Sequence, residues 1–211
     1  MQRARESSPL IAIVDDDASV REGLRSLIRS AGWRAEAFAS AQEFLDRRGL
    51  EAPSCVVLDL QLGGASGLDL QKRMAESELQ IPIVFLTGHG NIPASVQAIK
   101  AGAIEFLTKP VDEGDLLRAI REAIERDRDT RQEHAEIHNL RSRYQTLTPR
   151  EREVMQQVIT GLLNKQVGAE LNITEFTVKI HRAHVMRKMR ADSLPDLVRM
   201  ADSLGIRAGK R

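Results

Sequence analysis

Residues 55–59 carry the stretch that decides the fold, Cys55-Val56-Val57-Leu58-Asp59, in which strand-forming apolar residues end in a carboxylate. Three similar runs also lead to polar residues: 10–14 to Asp15 and Asp16, 81–86 to Thr87, and 104–107 to Lys109. Short runs rich in Val and Ile, each followed by a helix-like segment, are typical of buried parallel strands. In an open parallel sheet, functional groups collect outside the carboxyl ends of the strands. The sequence therefore predicts that these polar side chains meet at one edge of a sheet.

The first part of the chain alternates between strand and helix patterns. Strands are predicted near 10–14, 33–38, 54–59, 81–86 and 104–108, and helices near 18–30, 40–48, 67–77 and 91–101. Five strands joined by helices require right-handed crossovers, so the pattern predicts an α/β doubly wound five-stranded parallel sheet. After Tyr144 a run of short helices with sharp starts predicts a second, small all-α domain.

These changes in pattern divide the 211 residues into four segments. We predict a disordered tail at 1–8, the α/β domain at 9–126, a helical linker at 127–145 and the all-α domain at 146–211. The last segment is basic, with 12 Lys and Arg against 7 Asp and Glu, whereas residues 1–145 carry a net charge of −4. This asymmetry favours a polyanion as the partner of the last segment alone.

Composition bounds the class of protein and its compartment. A hydrophobic content of 42% supports real cores, and 29% charged residues suit a soluble protein. The single cysteine, Cys55, cannot form an internal disulfide, which favours a reducing compartment. The sequence shows neither a membrane-spanning apolar run nor a secretory signal, so we expect a cytoplasmic protein with no membrane partner.

The predicted cluster of carboxylates suits a hard cation and a phosphoryl group. Mg²⁺ prefers oxygen ligands, and two or three carboxylates suit it. A carboxylate can accept a phosphoryl group as an acyl phosphate, which the Thr87 hydroxyl and the Lys109 ammonium can bind. Each residue alone has a simpler explanation, because Asp17 can be a helix N-cap and Lys109-Pro110 can be a turn. Four elements in the right order favour the phosphoryl site.

Residues 10–125 resemble the receiver domain of two-component response regulators, which has a flavodoxin/CheY-like fold. The matching pieces are IVDDD, VVLDLQL, SGLDL, VFLTGHG and KAGAIEFLTKP. The resemblance implies that Asp59 is the phosphoacceptor and that Mg²⁺, or Mn²⁺, is the cofactor. The implied metal ligands are Asp15, Asp16, Asp59 and the main-chain carbonyl of Gln61. The implied switch residues are Thr87, Phe106 and Lys109, although Phe106 is equally explained as a core residue of the last strand.

One stretch departs from the pattern of the family. Receivers usually have Met-Pro before the Ser-Gly that follows the acceptor, whereas this chain has Leu62-Gly63-Gly64-Ala65-Ser66-Gly67. Two glycines add backbone freedom. We therefore predict a looser loop and an altered lifetime of the phosphoryl group, with function retained.

The all-α segment has the pattern of a helix-turn-helix. We expect residues 164–171 to form the scaffold helix and residues 175–190 the recognition helix, in which Val178, Val185 and Met189 share an apolar face. A second face carries Lys179, the best candidate for reading a guanine edge. Phosphate contacts are predicted for four side chains: Asn164, Lys165, Arg182 and Lys188.

The segment from Leu147 to Met189 is similar to the LuxR-type DNA-binding domain. The most specific pieces are LTPRE, the spacing of Gly161 from Asn164-Lys165, and Thr177-Val178-Lys179-x-His181. The resemblance implies that DNA is contacted by Thr177, Lys179, Ile180, His181, Arg182 and Ala183. With a receiver in front, the chain resembles regulators of the NarL/FixJ type.

The combined resemblance implies a transcriptional regulator that phosphorylation switches on. A sensor histidine kinase is the implied phosphoryl donor, and double-stranded promoter DNA is the implied target. A homodimer is expected to form on phosphorylation through helix 91–101 and strand 104–108, and RNA polymerase is a further candidate partner. The chain is not expected to be a turnover enzyme, although it can remove its own phosphoryl group.

Other functions stay open from the residues alone. A Mg²⁺-dependent phosphohydrolase would use Asp59 as its nucleophile, but it needs a carboxylate two residues later, where Gln61 stands. A regulator that ignores phosphorylation would use its first domain only to dimerise. RNA binding by the last domain is disfavoured, because Phe176 is the only candidate there for stacking on a base.

Overall fold

The structure, a computed structural model, describes residues 8–47, 51–77, 80–88 and 92–206, with only the backbone of Ala65. The predicted tail at 1–8 lies outside the described residues except for Ser8. The chain divides into two compact units, 1–130 and 131–211. The four segments predicted from the sequence, with limits after 8, 126 and 145, stay predictions.

The first unit is built on a parallel sheet. In chain order the strands are β1 (Leu10–Val14), β2 (Arg34–Phe38), β3 (Cys55–Asp59), β4 (Gln61–Leu62), β5 (Ala65–Ser66), β6 (Ile83–Thr87) and β7 (Glu105–Thr108). Five of them form one sheet in the order β2-β1-β3-β6-β7, and every neighbouring pair is parallel. Strand β3 is central, so the carboxyl end of β3 lies between those of β1 and β6.

Helices cover both faces of this sheet. The helices of the chain are α1 (Ala18–Ser30), α2 (Ala41–Leu45), α3 (Gly67–Glu76), α4 (Ile92–Lys100), α5 (Glu113–Gln145), α6 (Pro149–Val158), α7 (Asn164–Leu171), α8 (Glu175–Met189) and α9 (Leu194–Ser203). Apolar residues of α1 and α5 pack on one face, and those of α2, α3 and α4 pack on the other. The predicted doubly wound α/β fold is confirmed.

The alternation of side chains along β3 explains why its apolar run is continuous. Val56 and Leu58 point into the core under α3, whereas Cys55 and Val57 point into the core under α1 and α5. All four are buried. Because each buried Val or Leu side chain stabilises the fold by roughly 1.5–3 kcal/mol, both faces of the strand must be apolar. Asp59, the last residue of β3, therefore stands where the apolar cores on both faces of the sheet end.

The loop after Asp59 differs from the prediction. Gln61–Leu62 pairs antiparallel with Ala65–Ser66, and Gly63-Gly64 is the two-residue turn between them. Both glycines have positive φ angles, +51° and +109°, as a tight hairpin turn requires. The glycine pair therefore shapes a hairpin instead of loosening a loop. Helix α2 is also shorter than predicted, since Asp46 caps it and residues 48–50 lie outside the described part.

Helix α5 is one continuous element of 33 residues. Its first three turns bury an apolar stripe, including Leu116 and Ile120, against the sheet. It continues as helix through 127–145, where a helical linker is predicted.

The second unit contains α6 to α9 around one apolar core. Thr148 caps α6: its side chain accepts a hydrogen bond from the Glu151 N–H, and the Glu151 carboxylate accepts one from the Thr148 N–H. Helix α7 lies so close to the turn before α8 that a Cβ on Gly168 would lie 2.7 Å from the Ile173 carbonyl oxygen. A left-handed residue, Asn172, makes this turn possible. The predicted helix-turn-helix is confirmed.

Cys55 is fully buried in the central strand. Burial raises the pKa of its thiol, and the charge on Asp127 raises it further. The thiol is therefore protonated and out of reach of solvent.

Across the ranges that the structure describes, no helix combines the length and apolar character needed to cross a membrane.

Candidate functional site

Asp15, Asp16 and Asp59 meet at the carboxyl edge of the sheet. Asp59 ends β3, while Asp15 and Asp16 directly follow the neighbouring β1. Each offers a carboxylate oxygen within 4.8 Å of the other two. Asp15 and Asp59 are buried and Asp16 is exposed, so the cluster opens to solvent on one side. The structure thus brings together the three carboxylates that the strand pattern placed at this edge.

The Lys109 ammonium lies between two of these carboxylates. Its Nζ donates hydrogen bonds to Asp15 Oδ2 at 2.6 Å and to Asp59 Oδ2 at 2.7 Å. Burial alone lowers the pKa of Lys109, but the two hydrogen bonds and the two charges outweigh burial and raise it. The backbone N–H of Lys109 also donates to the Thr87 carbonyl at 2.7 Å, which fixes the loop after β7.

Main-chain groups hold the carboxylates from the other side. The Asp17 N–H donates to Asp15 Oδ1 at 2.9 Å, and the Gln61 N–H donates to Asp59 Oδ1 at 3.2 Å. Asp17 itself caps α1 by accepting from the Ser19 N–H, so the simpler explanation for that residue is confirmed. A pocket at this edge is lined by Asp16, Asp59, Gln61, Gly63, Gly64, Gly88 and Lys109, among others.

The donor set fits a hard divalent cation. Three carboxylates within one ion's reach, open to water on the Asp16 side, are the oxygen ligands that Mg²⁺ takes while keeping several waters. Gly63 belongs to the same corner, because a Cβ there would lie 3.4 Å from Asp16 Oδ2. The β4–β5 hairpin therefore borders the carboxylate that is most open to solvent.

Thr87 and Phe106 occupy neighbouring strands next to this pocket. Thr87 ends β6 with 1% of its surface exposed. Phe106 on β7 is half-buried, and its ring lies 6.1 Å from that of Phe85, centroid to centroid. Phe106 thus packs on the core as its simpler explanation requires, while its role as a switch residue stays a prediction.

In the second unit, α8 presents a mixed basic and apolar face to solvent. Val178, Val185 and Met189 are buried on one side, as predicted. Four residues are exposed on the opposite side: Lys179, Ile180, Ala183 and Arg187.

The start of α7 is tied to α8. Arg182 donates a hydrogen bond to the Asn164 side-chain oxygen at 3.1 Å, so two of the predicted phosphate contacts form one group. Lys165 is exposed beside them, and Thr177 is half-buried in the first turn of α8. His181 is half-buried, and its buried Nδ1 has no hydrogen-bond partner among the described residues.

Two family models match this chain. The model of the response regulator receiver domain matches residues 11–121, and the model of bacterial regulatory proteins of the luxR family matches residues 145–201. This chain belongs to the response regulators. More specifically, it joins a receiver to a LuxR-type DNA-binding domain and is a phosphorylation-regulated, DNA-binding transcriptional regulator, as in the NarL/FixJ type. The family is one of regulators and not of enzymes.

Several response regulators are similar to this one over nearly their whole length. Nodulation protein W of Bradyrhizobium diazoefficiens is 51% identical over 199 residues, which cover 94% of this chain and 88% of that protein. TmoT of Ectopseudomonas mendocina is 46% identical, with 96% and 92% covered. FixJ of Bradyrhizobium diazoefficiens is 40% identical, with 93% and 96% covered.

Two solved structures extend the similarity to three dimensions. The response regulator StyR matches with a TM-score of 0.82 at 46% identity, covering 93% of this chain and 99% of that one. Full-length FixJ from B. japonicum matches with a TM-score of 0.57 at 40% identity, covering 95% and 98%.

Lys188, one of the four predicted phosphate contacts, is bonded within its own domain. Its Nζ donates to Glu151 Oε2 at 2.7 Å and to the Thr146 carbonyl at 3.1 Å. Glu151 is buried, so withdrawing the ammonium would remove the lysine charge that faces a carboxylate inside the domain. Lys188 therefore anchors α8 to α6 of this response regulator, and its predicted phosphate contact stays a prediction.

The Glu151 carboxylate predicts acid sensitivity in the LuxR-type domain. Burial alone raises its pKa, but hydrogen bonds from Lys188 and the Thr148 N–H lower it from 4.5 to about 2. A lowered pKa contributes stability that is complete above pH 4.5 and is lost as the pH falls towards 2, about 3 kcal/mol at most for this carboxyl. Native-state hydrogen exchange at Val154 of α6 should report this loss, and Glu151→Gln should remove its pH dependence. Glu153→Gln on the exposed side of α6 is the matched control, which should behave like the wild type.

Proposed function

We propose that Asp59 accepts a phosphoryl group from a sensor histidine kinase. One observation carries the proposal: the Lys109 ammonium lies 2.7 Å from Asp59 Oδ2 and 2.6 Å from Asp15 Oδ2, at an edge that is open to solvent. Such an arrangement holds positive charge where the negative charge of an incoming phosphoryl group must be balanced. A buried packing role requires neither the third carboxylate nor the opening.

In the proposed reaction one carboxylate oxygen of Asp59 attacks phosphorus. The new O–P bond makes an acyl phosphate, and the N–P bond to the kinase histidine breaks, with its electron pair going to the imidazole nitrogen. Lys109 exchanges its bond to Asp59 for one to a phosphoryl oxygen, while its bond to Asp15 keeps it in place. The Thr87 hydroxyl donates to another phosphoryl oxygen. Hydrolysis of the acyl phosphate by water would make the signal self-limiting.

Asp15, Asp16, Asp59 and the main-chain carbonyl of Gln61 are the proposed ligands of Mg²⁺, or Mn²⁺. When bound, the cation supplies charge neutralisation for the phosphoryl group. Asp16 is the exposed member of this set, so it would hold the cation on the side that faces solvent. The Gly63-Gly64 turn lies beside Asp16. The altered lifetime of the phosphoryl group therefore stays a prediction. Gly63→Ala is the variant to compare in a decay assay, because the φ of +51° favours glycine and an added Cβ would lie 3.4 Å from Asp16 Oδ2.

The proposed output begins at α4 and β7. Thr87 and Phe106 are proposed to move together when Asp59 is phosphorylated. This movement shifts the population between two conformations of the neighbouring surface. That surface already carries an exposed apolar stripe on α4: Ile92 is 77% exposed, Val96 47% and Ile99 45%. Residue 91 of the predicted dimer helix lies outside the described residues. Apolar exposure at positions one and two turns apart on one helix supports a homodimer interface there.

The α4 surface can be tested by its charge. In the full chain treated with acetyl phosphate, Val96→Glu should keep incorporating phosphoryl groups yet sediment as a monomer, because like charges then face each other across the two-fold axis. Leu163→Glu, at a residue 70% exposed in the other unit, is the matched control and should still dimerise. A dimeric Val96→Glu protein would exclude this surface.

The proposed target is double-stranded promoter DNA, read by the exposed face of α8. Lys179, Ile180 and Ala183 are proposed to face base edges. The residues proposed to support the backbone contacts are Asn164, Lys165, Thr177, His181, Arg182 and Lys188. RNA polymerase is a proposed partner of the bound dimer. The proposed domain limits follow the segments 9–126, 127–145 and 146–211. The cytoplasm is the proposed site of action.

Lys179→Ala should weaken binding to a specific site by about 1–3 kcal/mol if the ammonium reads a guanine edge. Binding to random DNA should change much less. Lys165→Ala is the matched comparison, because a phosphate contact contributes equally on every sequence. Titrations of both variants against specific and random duplexes separate the two roles, and equal losses for Lys179→Ala on both duplexes would make it a phosphate contact.

The function as a whole is tested by a footprint of the full-length protein on genomic DNA with and without acetyl phosphate. Protected sites that appear, or strengthen, only after treatment support the proposal. Identical footprints in both conditions would support a regulator whose first domain ignores phosphorylation.

A further inference from the structure

Two large apolar side chains stand exposed on α8. Phe176 is 72% exposed and Ile180 is 41% exposed. They are four residues apart in one helix, so they lie next to each other on the same side. Lys179, Ala183 and Arg187 share this side and are exposed as well. An aromatic ring and a branched aliphatic side chain therefore form one end of a basic, solvent-facing surface.

The fold does not explain this exposed pair. The apolar core of the second unit contains Val178, Val185 and Met189 from α8, and Phe176 is not among the residues packed against it. The backbone at Phe176 is nevertheless held firmly. The Thr177 N–H donates to the Thr174 side chain at 3.1 Å, and the two threonine hydroxyls lie 2.8 Å apart. Phe176 is thus presented from a capped first turn, where the backbone that carries it is fixed.

We propose that Phe176, with Ile180, reads the C5-methyl groups of thymine in the major groove. This inference rests on the proposed DNA target of α8. The N-terminal residues of a recognition helix contact base edges, and Phe176 is the second residue of α8. The thymine methyl is the apolar group that the major groove offers to such side chains. The exposed basic residues on the same side, Lys179 and Arg187, favour a polyanion over an apolar protein partner as the occupant.

The exposed face of α8 would then recognise bases in two ways, by a hydrogen bond from Lys179 to guanine and by apolar contact with thymine methyl groups. Lys179 lies between the two apolar residues in sequence and projects from the same side. We therefore expect the half-site to place one or two thymines within a base pair or two of the guanine that Lys179 reads. A phosphate-only role for this face would leave no reason for a ring.

The test removes only the methyl group from the DNA. The full-length protein, treated with acetyl phosphate, selects a duplex from a random pool, and each thymine of that duplex is then replaced in turn by deoxyuridine. The wild type should bind about fourfold more weakly at one or two positions, the factor expected when one buried methyl contact is lost. Phe176→Ala should bind the thymine duplex more weakly and show no further loss with deoxyuridine at one of those positions, since side chain and methyl then report one interaction.

Matched measurements keep the outcomes apart. Phe176→Ala should unfold like the wild type, because the ring is exposed, and Leu163→Ala should retain the full deoxyuridine penalty. The inference is overturned if no thymine is sensitive, or if Phe176→Ala keeps the wild-type penalty at every position. A Phe176→Ala protein with normal DNA binding but reduced transcription would assign the ring to a protein partner and also overturn it. Failure to select any duplex would count against DNA reading by α8 itself.

Discussion

Asp59→Asn is expected to incorporate no phosphoryl group that hydroxylamine releases. The amide has nearly the shape of the carboxylate but lacks a nucleophilic oxygen that could form an acyl phosphate. The fold should survive, because Lys109 keeps its hydrogen bond to Asp15 and the apolar cores on both faces of β3 are unchanged. Intact-mass measurement after acetyl phosphate treatment, with and without hydroxylamine, gives the result directly.

Asp69→Asn is the matched control for this experiment. Asp69 is exposed on the first turn of α3 in the same domain, so its variant should incorporate phosphoryl groups like the wild type. DNA binding then separates the remaining alternatives. If Asp59→Asn still responds to acetyl phosphate with stronger binding, another residue accepts the group. If it binds fully without any treatment, phosphorylation does not control the output.

Lys109→Met is expected to destabilise the metal-free receiver by about 2–3 kcal/mol. Its removal leaves Asp15 and Asp59, both buried, without the cation that links them. Breaking a buried ion pair costs about 3–5 kcal/mol, and the opening to solvent at this edge reduces that figure. Urea unfolding in the presence of a chelator, followed by the fluorescence of Trp33 in the same unit, measures the difference.

Added Mg²⁺ should recover more stability in Lys109→Met than in the wild type. An ammonium and a divalent cation compete for the same carboxylates, so the variant binds the ion more tightly and gains more from it. Lys72→Met is the matched control: its ion pair with Glu76 spans 4.0 Å on the surface, and its loss should be nearly neutral. Equal Mg²⁺ responses in Lys109→Met and wild type would mean that the ammonium and the ion occupy separate places.

The stability of the wild type should depend on pH through the ion pairs of Lys109 with Asp15 and Asp59. The folded-state pKa of Lys109 is raised above its ordinary 10.5, so its contribution is complete at neutral pH and lost only as the pH rises through that raised value. Lys109→Met should lack this alkaline loss.

The residues at the strand ends were predictable because short apolar runs that alternate with helix-like segments indicate buried parallel strands. Asp15, Asp59 and Thr87 each stand where an apolar run stops, and parallel pairing then brings those ends together. The hairpin at 61–66 was not predictable in the same way, since two-residue strands are too short to show alternation. Its signal was the Gly63-Gly64 pair, which suits a tight turn and was interpreted as flexibility instead.

Long-range polar pairs were the other limit. The sequence alone suggests that the Lys188 side chain faces solvent from the recognition helix. The structure shows that it is bonded to Glu151, 37 residues earlier in the chain. Helical spacing separates the buried from the exposed face of α8, but it does not reveal which lysine of the helix is bonded to another part of the domain. The bond between Lys109 and Asp15, 94 residues apart, is hidden for the same reason.

The buried position of Cys55 has a practical consequence for following this switch at work. Its thiol is shielded in the central strand and protonated, and it is the single cysteine of the chain. A cysteine introduced at an exposed position would then be the one sulfur that a maleimide dye or spin label meets. The native chain is thus ready for site-selective labelling, and its motions on phosphorylation can be timed without first engineering a thiol-free background.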